Sequence, residues 1–476
     1  MTNNTFRIAI AFSFLLASQH LLSAEASDAQ PSVDASFGLA SVVQQDGKII
    51  AAGGAIIDRG SSFVKYSAFL LTRFNPDGSR DTGFGTDGIV TTRIELSASG
   101  NPLSFIGNSS IRALAVQQDG KIVAAGQTYY DGGKFGTQLT SLTLVRYEAS
   151  GVLDSTFGRG GIVTTQFPGR TDGIFGVVVQ KDGKLIAASN VYNSISEKGD
   201  ISLLLARYNS DGSLDGSFGN GGVIQNPIFQ QVRAMVVQAD GKIIIAGNSE
   251  QESFPPAATH YMFALARYNS NGSIDRTFGR QGVVLTRIDE KYDNYWTSAY
   301  ALALQSDGRI VAAGAAALKN SSQEEFAIVR YNTNGSLDAG FGQGGISLTS
   351  HIEFVGSGYS SYPQRIYSVS IQDNGKILAA GDSVFTKDGH TISLKYANLV
   401  RYNMDGSVDK TFGDIGVEGI MDKGSANSLS LQADGKIVVV GDYCPSYPMV
   451  SYDCSHLFVT RRQRDGAYDG WHFIYP

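Results

Sequence analysis

The chain has 476 residues, 56 of them Gly, and only 17% are charged. That length exceeds what one growing core holds, and so much Gly favours many short strands and tight turns over helices. A hydrophobic fraction of 42% excludes wholesale disorder, and a net charge of −6 argues against a general phosphate-binding surface, so no nucleic-acid partner is expected.

In chain order, residues 1–26 read as a secretory signal peptide. Arg7 precedes the apolar run from Ile8 to Ala17, and Ala24-Glu25-Ala26 places small residues at −3 and −1 of a cut before Ser27. Ser18, Gln19 and His20 interrupt the stretch from Ile8 to Leu22, which is too short and polar to span a bilayer. No later segment reaches ~18 consecutive apolar residues, so no transmembrane segment is expected. The mature chain is expected to be secreted or periplasmic, and monomeric.

Two signatures then alternate. The first is an apolar run, Gln, an Asp/Asn-Gly-Lys/Arg turn and a second apolar run, as in VVQQDGKIIAAG (42–53) and MVVQADGKIIIAG (235–247). Its Gln stands at 44, 117, 180, 238, 305, 372 and 432, so copies are 58 to 73 residues apart. The second, such as LARYNSDGSLDGSFG (205–219), follows each copy; the seventh, VTRRQRDGAYDGWHF (459–473), is degenerate. An Ile/Val-rich segment such as GIVTT (161–165) comes next.

Asp-Gly or Asn-Gly between apolar runs supplies the positive φ of a tight hairpin turn. Near-continuous small and branched residues in the first two strands imply that both faces are covered. Each unit therefore reads as a four-stranded antiparallel meander that must stack on its neighbours. Seven such units predict an all-β fold, a seven-bladed β-propeller of four-stranded antiparallel blades. A parallel β-helix fits less well, because its coils are shorter and lack paired hairpin turns. The blades fall at about 39–93, 111–165, 174–225, 232–286, 298–349, 366–420 and 427–476, one domain over 39–476. Residues 27–38 precede it, and Val33 to Gly38 is a spare copy of the L-D-x-x-F-G segment that could clasp the ring against blade 7.

The paired motifs Q-x-D-G-K-I-x-x-A-G and R-Y-N-x-D-G-S-L-D-x-x-F-G resemble the delta-60 repeat family of bacterial proteins, over residues 32–476. That resemblance implies a bacterial repeat protein with no family-defined catalytic residues.

Repetition separates scaffold from chemistry. Arg at 73, 146, 207, 267, 330, 401 and 461 is followed eight residues later by Asp. A catalytic site needs one asymmetric constellation, so these sevenfold pairs are expected to hold the third strand to its following turn. The short repeated turns share one end of the disc. The variable two-to-three loops and blade connections lie at the other, where function resides in such scaffolds. That end is rich in aromatics, and the candidate ligand-binding residues are Tyr129, Tyr130, Tyr192, His260, Tyr261, Tyr292, Tyr295, Trp296, Tyr359, Tyr362, His390 and Tyr396. Folding back over the blades as a loop core is the competing role for them.

No HxH, HExxH or Cys-His spacing supports a metal, and no P-loop, dinucleotide or GxSxG context appears, so no catalytic residue, metal or cofactor is expected. Cys444 and Cys454 sit in the two-to-three loop of the last blade. In an oxidising compartment they are expected to pair, since their flanking strands should be neighbours. The expected function is an exported, non-enzymatic binding or scaffolding propeller contacting a protein or glycan with its variable-loop face. The alternative is a secreted hydrolase or lyase with a carboxylate and His site at the central channel.

Overall fold

The computed structural model describes residues 33–57, 66–94, 108–131, 138–167, 170–192, 201–252, 259–288, 297–318, 323–349, 359–387, 393–413, 416–444 and 456–475. These residues hold 28 strands, β1 to β28 in chain order, and no helix. They pair into seven antiparallel four-stranded sheets, β1–β4 through β25–β28, each a simple meander. The fold is a seven-bladed β-propeller. Blade 1 shows the pattern: β1 is Val33–Val43, β2 Ile49–Ile57, β3 Tyr66–Phe74 and β4 Ile89–Thr92.

The first strands of the other blades are β5 (Asn108–Val116), β9 (Arg170–Val179), β13 (Gln231–Val237), β17 (Ser298–Leu304), β21 (Tyr359–Ile371) and β25 (Gly424–Leu431). Each touches the first strand of the next blade, and β25 touches β1, so these seven wall the axis. Apolar residues on both faces of the inner strands leave no core within a blade. Instead seven buried clusters lie between blades, one per interface; the last joins Ile49, Leu70 and Phe74 of blade 1 to Val438, Val440 and Leu457 of blade 7.

The repeated charges serve these interfaces as well as the turn. In blades 1 to 6 the Arg Nε donates to its Asp at 2.6 to 2.8 Å. The same guanidinium reaches a turn carbonyl of the following blade, at 2.5 to 2.7 Å in blades 2 to 6. In blade 7, Arg461 pairs with Asp469 and donates to the Pro76 carbonyl of blade 1, which closes the circle. Burial would raise the Asp215 carboxyl, but the Lys184 ammonium, Ser217 and the Arg207 guanidinium outweigh it and hold it well below the usual range. The turn glycine is the other half of the joint. Gly212, at φ +88°, lies over Phe157 of the preceding blade, where any Cβ would strike Val163 and the Gly158 backbone.

The degenerate seventh copy closes on Trp471. Strand β28 (Tyr468–Tyr475) begins early, so its period-two alternation turns Trp471, Phe473 and Tyr475 to the blade 1 interface and leaves His472 facing away. Trp471 meets Phe74 edge-on at 5.1 Å and lies under Gly78. The spare segment is the first half of β1, registered on β2 from Val33 opposite Ile57 to Gly38 opposite Gly53. It is thus a strand of blade 1 and not an extra strand of blade 7. From that position Gly38 N donates to Asp442 Oδ1 at 3.1 Å, and Asn427 Nδ2 donates to the Gly38 carbonyl at 2.8 Å. The segment 1–26, expected to be a signal peptide, lies outside the described residues.

Candidate functional site in the central channel

Every inner strand carries a β-bulge at the same repeat position, five residues before the repeated Gln. The register skips Leu39, Arg112, Phe175, Arg233, Tyr300, Tyr367 and Asn427 in blades 1 to 7. A bulge leaves one residue unpaired and re-aims its side chain. All seven line one cavity of about 540 Å³ in the channel. The residue after each bulge is always small, Ala, Gly or Ser, while the bulged residue changes from blade to blade.

The neighbouring strand makes room. A Cβ on Gly126, Gly247, Gly314, Gly381 or Gly441 would stand on the carbonyl oxygen two residues before the facing bulge. The Gly of the repeated Ala-Gly ending is therefore the bulge's counterpart. Blade 3 has Ser189 there instead. Its register slips twice, and Ser189 Oγ donates to the Gly173 carbonyl at 3.3 Å.

On the variable-loop side of the bulges Gln127, Tyr129, Asn190 and Gln231 join the wall, and on the turn side Met235, Leu302 and Val369 do. Its charge is one-sided. Arg112 and Arg233 line it, and no carboxylate or His does so among the described residues. Arg112 is exposed to the channel; Arg233 donates to Gln231 Oε1 and lies 4.7 Å above the Tyr300 ring. Tyr300 meets Tyr367 edge-on at 5.8 Å. Burial raises both phenols above their ordinary value, so they remain neutral donors at physiological pH. Arg233 Nε and Tyr300 Oη are buried without a hydrogen-bond partner among the described residues.

Behind this wall the charges are matched. Glu324 accepts from Arg365 Nε at 2.5 Å and from its terminal nitrogen at 2.6 Å; Lys395 pairs with Asp382 at 2.8 Å. Asp442 accepts from Asn427 Nδ2 at 3.0 Å, and burial pushes its carboxyl up to about 6.

Of the residues expected from sequence, Tyr129 lines the cavity, and Gln127 Nε2 donates to its hydroxyl. Tyr192, Tyr261 and Tyr396 are half-buried near the loop ends of their strands, opposite Ile201, Glu250 and Ser383, and are not among its lining residues. Tyr130, His260, Tyr359 and Tyr362 lie in strands, but their side chains fall outside the described residues. Tyr292, Tyr295, Trp296, His390 and Cys454 lie outside them altogether. Cys444 is buried, its N–H donating to the Lys423 carbonyl at 2.7 Å. Among the described residues no three His, Cys, Asp or Glu are placed to hold a metal ion.

Sequence reasoning missed the bulge ring. The available signal was a column that changes residue type, Leu, Arg, Phe, Arg, Tyr, Tyr and Asn, followed by a small residue and set opposite a Gly in a strand interior.

Residues 44–84, 117–157, 180–218, 238–278, 305–341 and 396–412 match a family model described as "Domain of unknown function (DUF5122) beta-propeller". No curated protein matches the chain. Among solved structures, the extracellular domains 1–2 of Drosophila Semaphorin 1a are similar at 11% identity and TM-score 0.37, over 91% of this chain and 88% of that one. A PL25 ulvan lyase, a polysaccharide lyase, is similar at 9% identity and TM-score 0.42, over 93% and 97%. Virginiamycin B lyase from Staphylococcus aureus follows at 10% and 0.36, over 88% and 96%. At such values these neighbours carry nothing about activity. The chain is a β-propeller repeat protein, with the matched segments in six of its seven blades.

Proposed function

We propose that this chain is an exported, non-enzymatic binding propeller that holds a protein or glycan at its variable-loop end. The reading of residues 1–26 as a signal peptide supports export to the periplasm or beyond, and the repeat motifs support a place in the delta-60 repeat family. One observation carries the binding reading: the blades repeat their scaffold residues almost unchanged, while the position aimed into the channel differs in character from blade to blade. Rigid scaffolds that vary at one concave place are built for recognition. Acid–base catalysis has less support, since the cavity wall carries no carboxylate or His among the described residues.

The test is a glycan array and a pull-down from cell-envelope extract with residues 27–476. Wild type is compared with the Arg112→Ala/Arg233→Ala and Tyr295→Ala/Trp296→Ala double variants. Specific capture that falls in at least one variant supports the reading. Capture unchanged in both refutes this end of the disc as the binding face.

A further inference from the structure

We propose that the channel cavity binds an anionic oligosaccharide, one bearing carboxylate or sulfate groups, with Arg112 and Arg233 as its charge-reading residues. This rests on the binding reading above and narrows it to a ligand chemistry. The protein as a whole carries a net charge of −6, yet its central cavity is lined by two guanidinium groups and no carboxylate among the described residues. A concave, low-dielectric wall focuses that local charge against the sign of the rest of the molecule.

The two arginines do not hold the fold in the way the seven repeated ones do. Those seven each have an Asp eight residues on and a carbonyl in the neighbouring blade. Arg112 and Arg233 instead occupy the bulge position, which other blades fill with Leu, Phe, Tyr or Asn. The fold therefore does not require Arg there. Arg233 is also positioned before any ligand arrives, with its guanidinium 4.7 Å from the Tyr300 ring centroid and one terminal nitrogen donating to Gln231 Oε1. Tyr300 Oη is likewise buried without a hydrogen-bond partner among the described residues.

The rest of the wall favours a sugar over an acidic peptide or a simple anion. Phe175 and Tyr367 bring to the wall aromatic rings, the side-chain type that covers the apolar face of a pyranose, while Arg233 occupies the face of Tyr300. Gln127 adds a buried Oε1 without a hydrogen-bond partner among the described residues, whereas the Asn190 and Asn427 amides are held by Val232, Gly38 and Asp442. A cavity of about 540 Å³ has room for a short oligosaccharide.

The experiment is isothermal titration of the full mature chain with four probes of matched length: a galacturonate oligosaccharide, a sulfated galactose oligosaccharide, a neutral maltooligosaccharide and a glutamate peptide. At least one acidic sugar should bind about tenfold or more tighter than the neutral one, and the two acidic arms distinguish carboxylate from sulfate. Arg112→Gln and Arg233→Gln should each weaken it by about 10- to 100-fold, the loss of a charge-assisted hydrogen bond. Arg112 is exposed, so its variant reports on binding even if Arg233→Gln perturbs folding; thermal melts of both settle that. Equal affinity for the neutral sugar, preference for the glutamate peptide, or unaltered binding by the Arg112 variant overturns the proposal. If another glycan or protein is captured while the acidic sugars are not, this proposal falls and the binding reading stands. If no probe, array or extract yields a ligand, both fall.

Discussion

Replacing Arg461 with Ala tests whether the ring is closed in solution. Its Nε pairs with Asp469 and its terminal nitrogens donate to the carbonyls of Pro76 and Asp77 in blade 1, the latter at 3.3 Å. Both side chains are buried, and removing one partner of a buried ion pair costs ~3–5 kcal/mol. Lys436, 3.5 Å from Asp469, keeps part of that charge compensated and points to the lower end. The orphaned blade 1 carbonyl adds about 1 kcal/mol. Arg207→Ala, in the middle of the ring, removes the same interactions: the Asp215 pair at 2.7 Å and the Ser270 carbonyl at 2.5 Å, with Lys184 left 2.7 Å from the carboxylate. Chemical denaturation of both variants, followed by circular dichroism, should therefore give losses of similar size, each ~3–5 kcal/mol. A loss under ~1 kcal/mol for Arg461→Ala, beside a full loss for Arg207→Ala, would mean that blades 7 and 1 do not meet and the ring is open.

Gly247→Ala should cost several times more than the ~1 kcal/mol expected of a Gly replaced at an open site such as Gly160, because its Cβ would occupy the place of the Gln231 carbonyl; comparable losses in a melt would remove the bulge explanation of this glycine. Asp442 supplies a pH signature. Its folded value of about 6 lies above the ordinary 3.8, so the native state retains a proton that the unfolded chain has released, and its contribution is full below 3.8 and lost as pH rises through about 6. Asp442→Asn should thus leave stability little changed near pH 4 but relieve a penalty of ~3 kcal/mol near pH 7, and an offset that does not vary with pH contradicts this. The proposed Cys444–Cys454 bridge would add ~2.5–3 kcal/mol by closing its loop; denaturing thiol titration without reductant should find no reactive thiol, and two would refute it.

The repeat made the fold legible because each signature encodes a local geometry. Asp-Gly steps mark hairpins, branched runs mark strands covered on both faces, and an Arg with an Asp eight residues on marks a scaffold pair. What the repeat hid is equally physical. The arginines were expected to tie a strand to its own turn, whereas their second function, gripping the next blade's carbonyl, involves a backbone atom that no sequence spacing reveals. Trp471 could replace the missing Phe because β28 begins seven residues after its Arg, where the other blades begin their fourth strand sixteen after theirs. The channel site is hard to read because the long variable loops are the conspicuous departures from the repeat. The informative residues sit inside the most regular strands, where a bulge breaks the period-two rule that otherwise sorts inward from outward. Tyr129 belongs to both regions, near the loop end of its strand and yet lining the cavity.

In the proposed function one repeat position, the bulged residue, carries recognition while the rest of the repeat carries the scaffold. That division is tested most directly by changing each of the seven bulged residues singly to Ala. The controls are seven Ala substitutions at the exposed residue before each Asp/Asn-Gly turn, such as Gln45, Gln118 and Lys181, with Ser replacing a native Ala. Affinity for the acidic oligosaccharide is then measured for all fourteen. Affinity losses are expected at several bulge positions, largest at Arg112 and Arg233, with the exposed Arg112 variant melting near wild type and no affinity loss among the controls. Losses spread evenly over both sets, or absent from the bulge set, would contradict it.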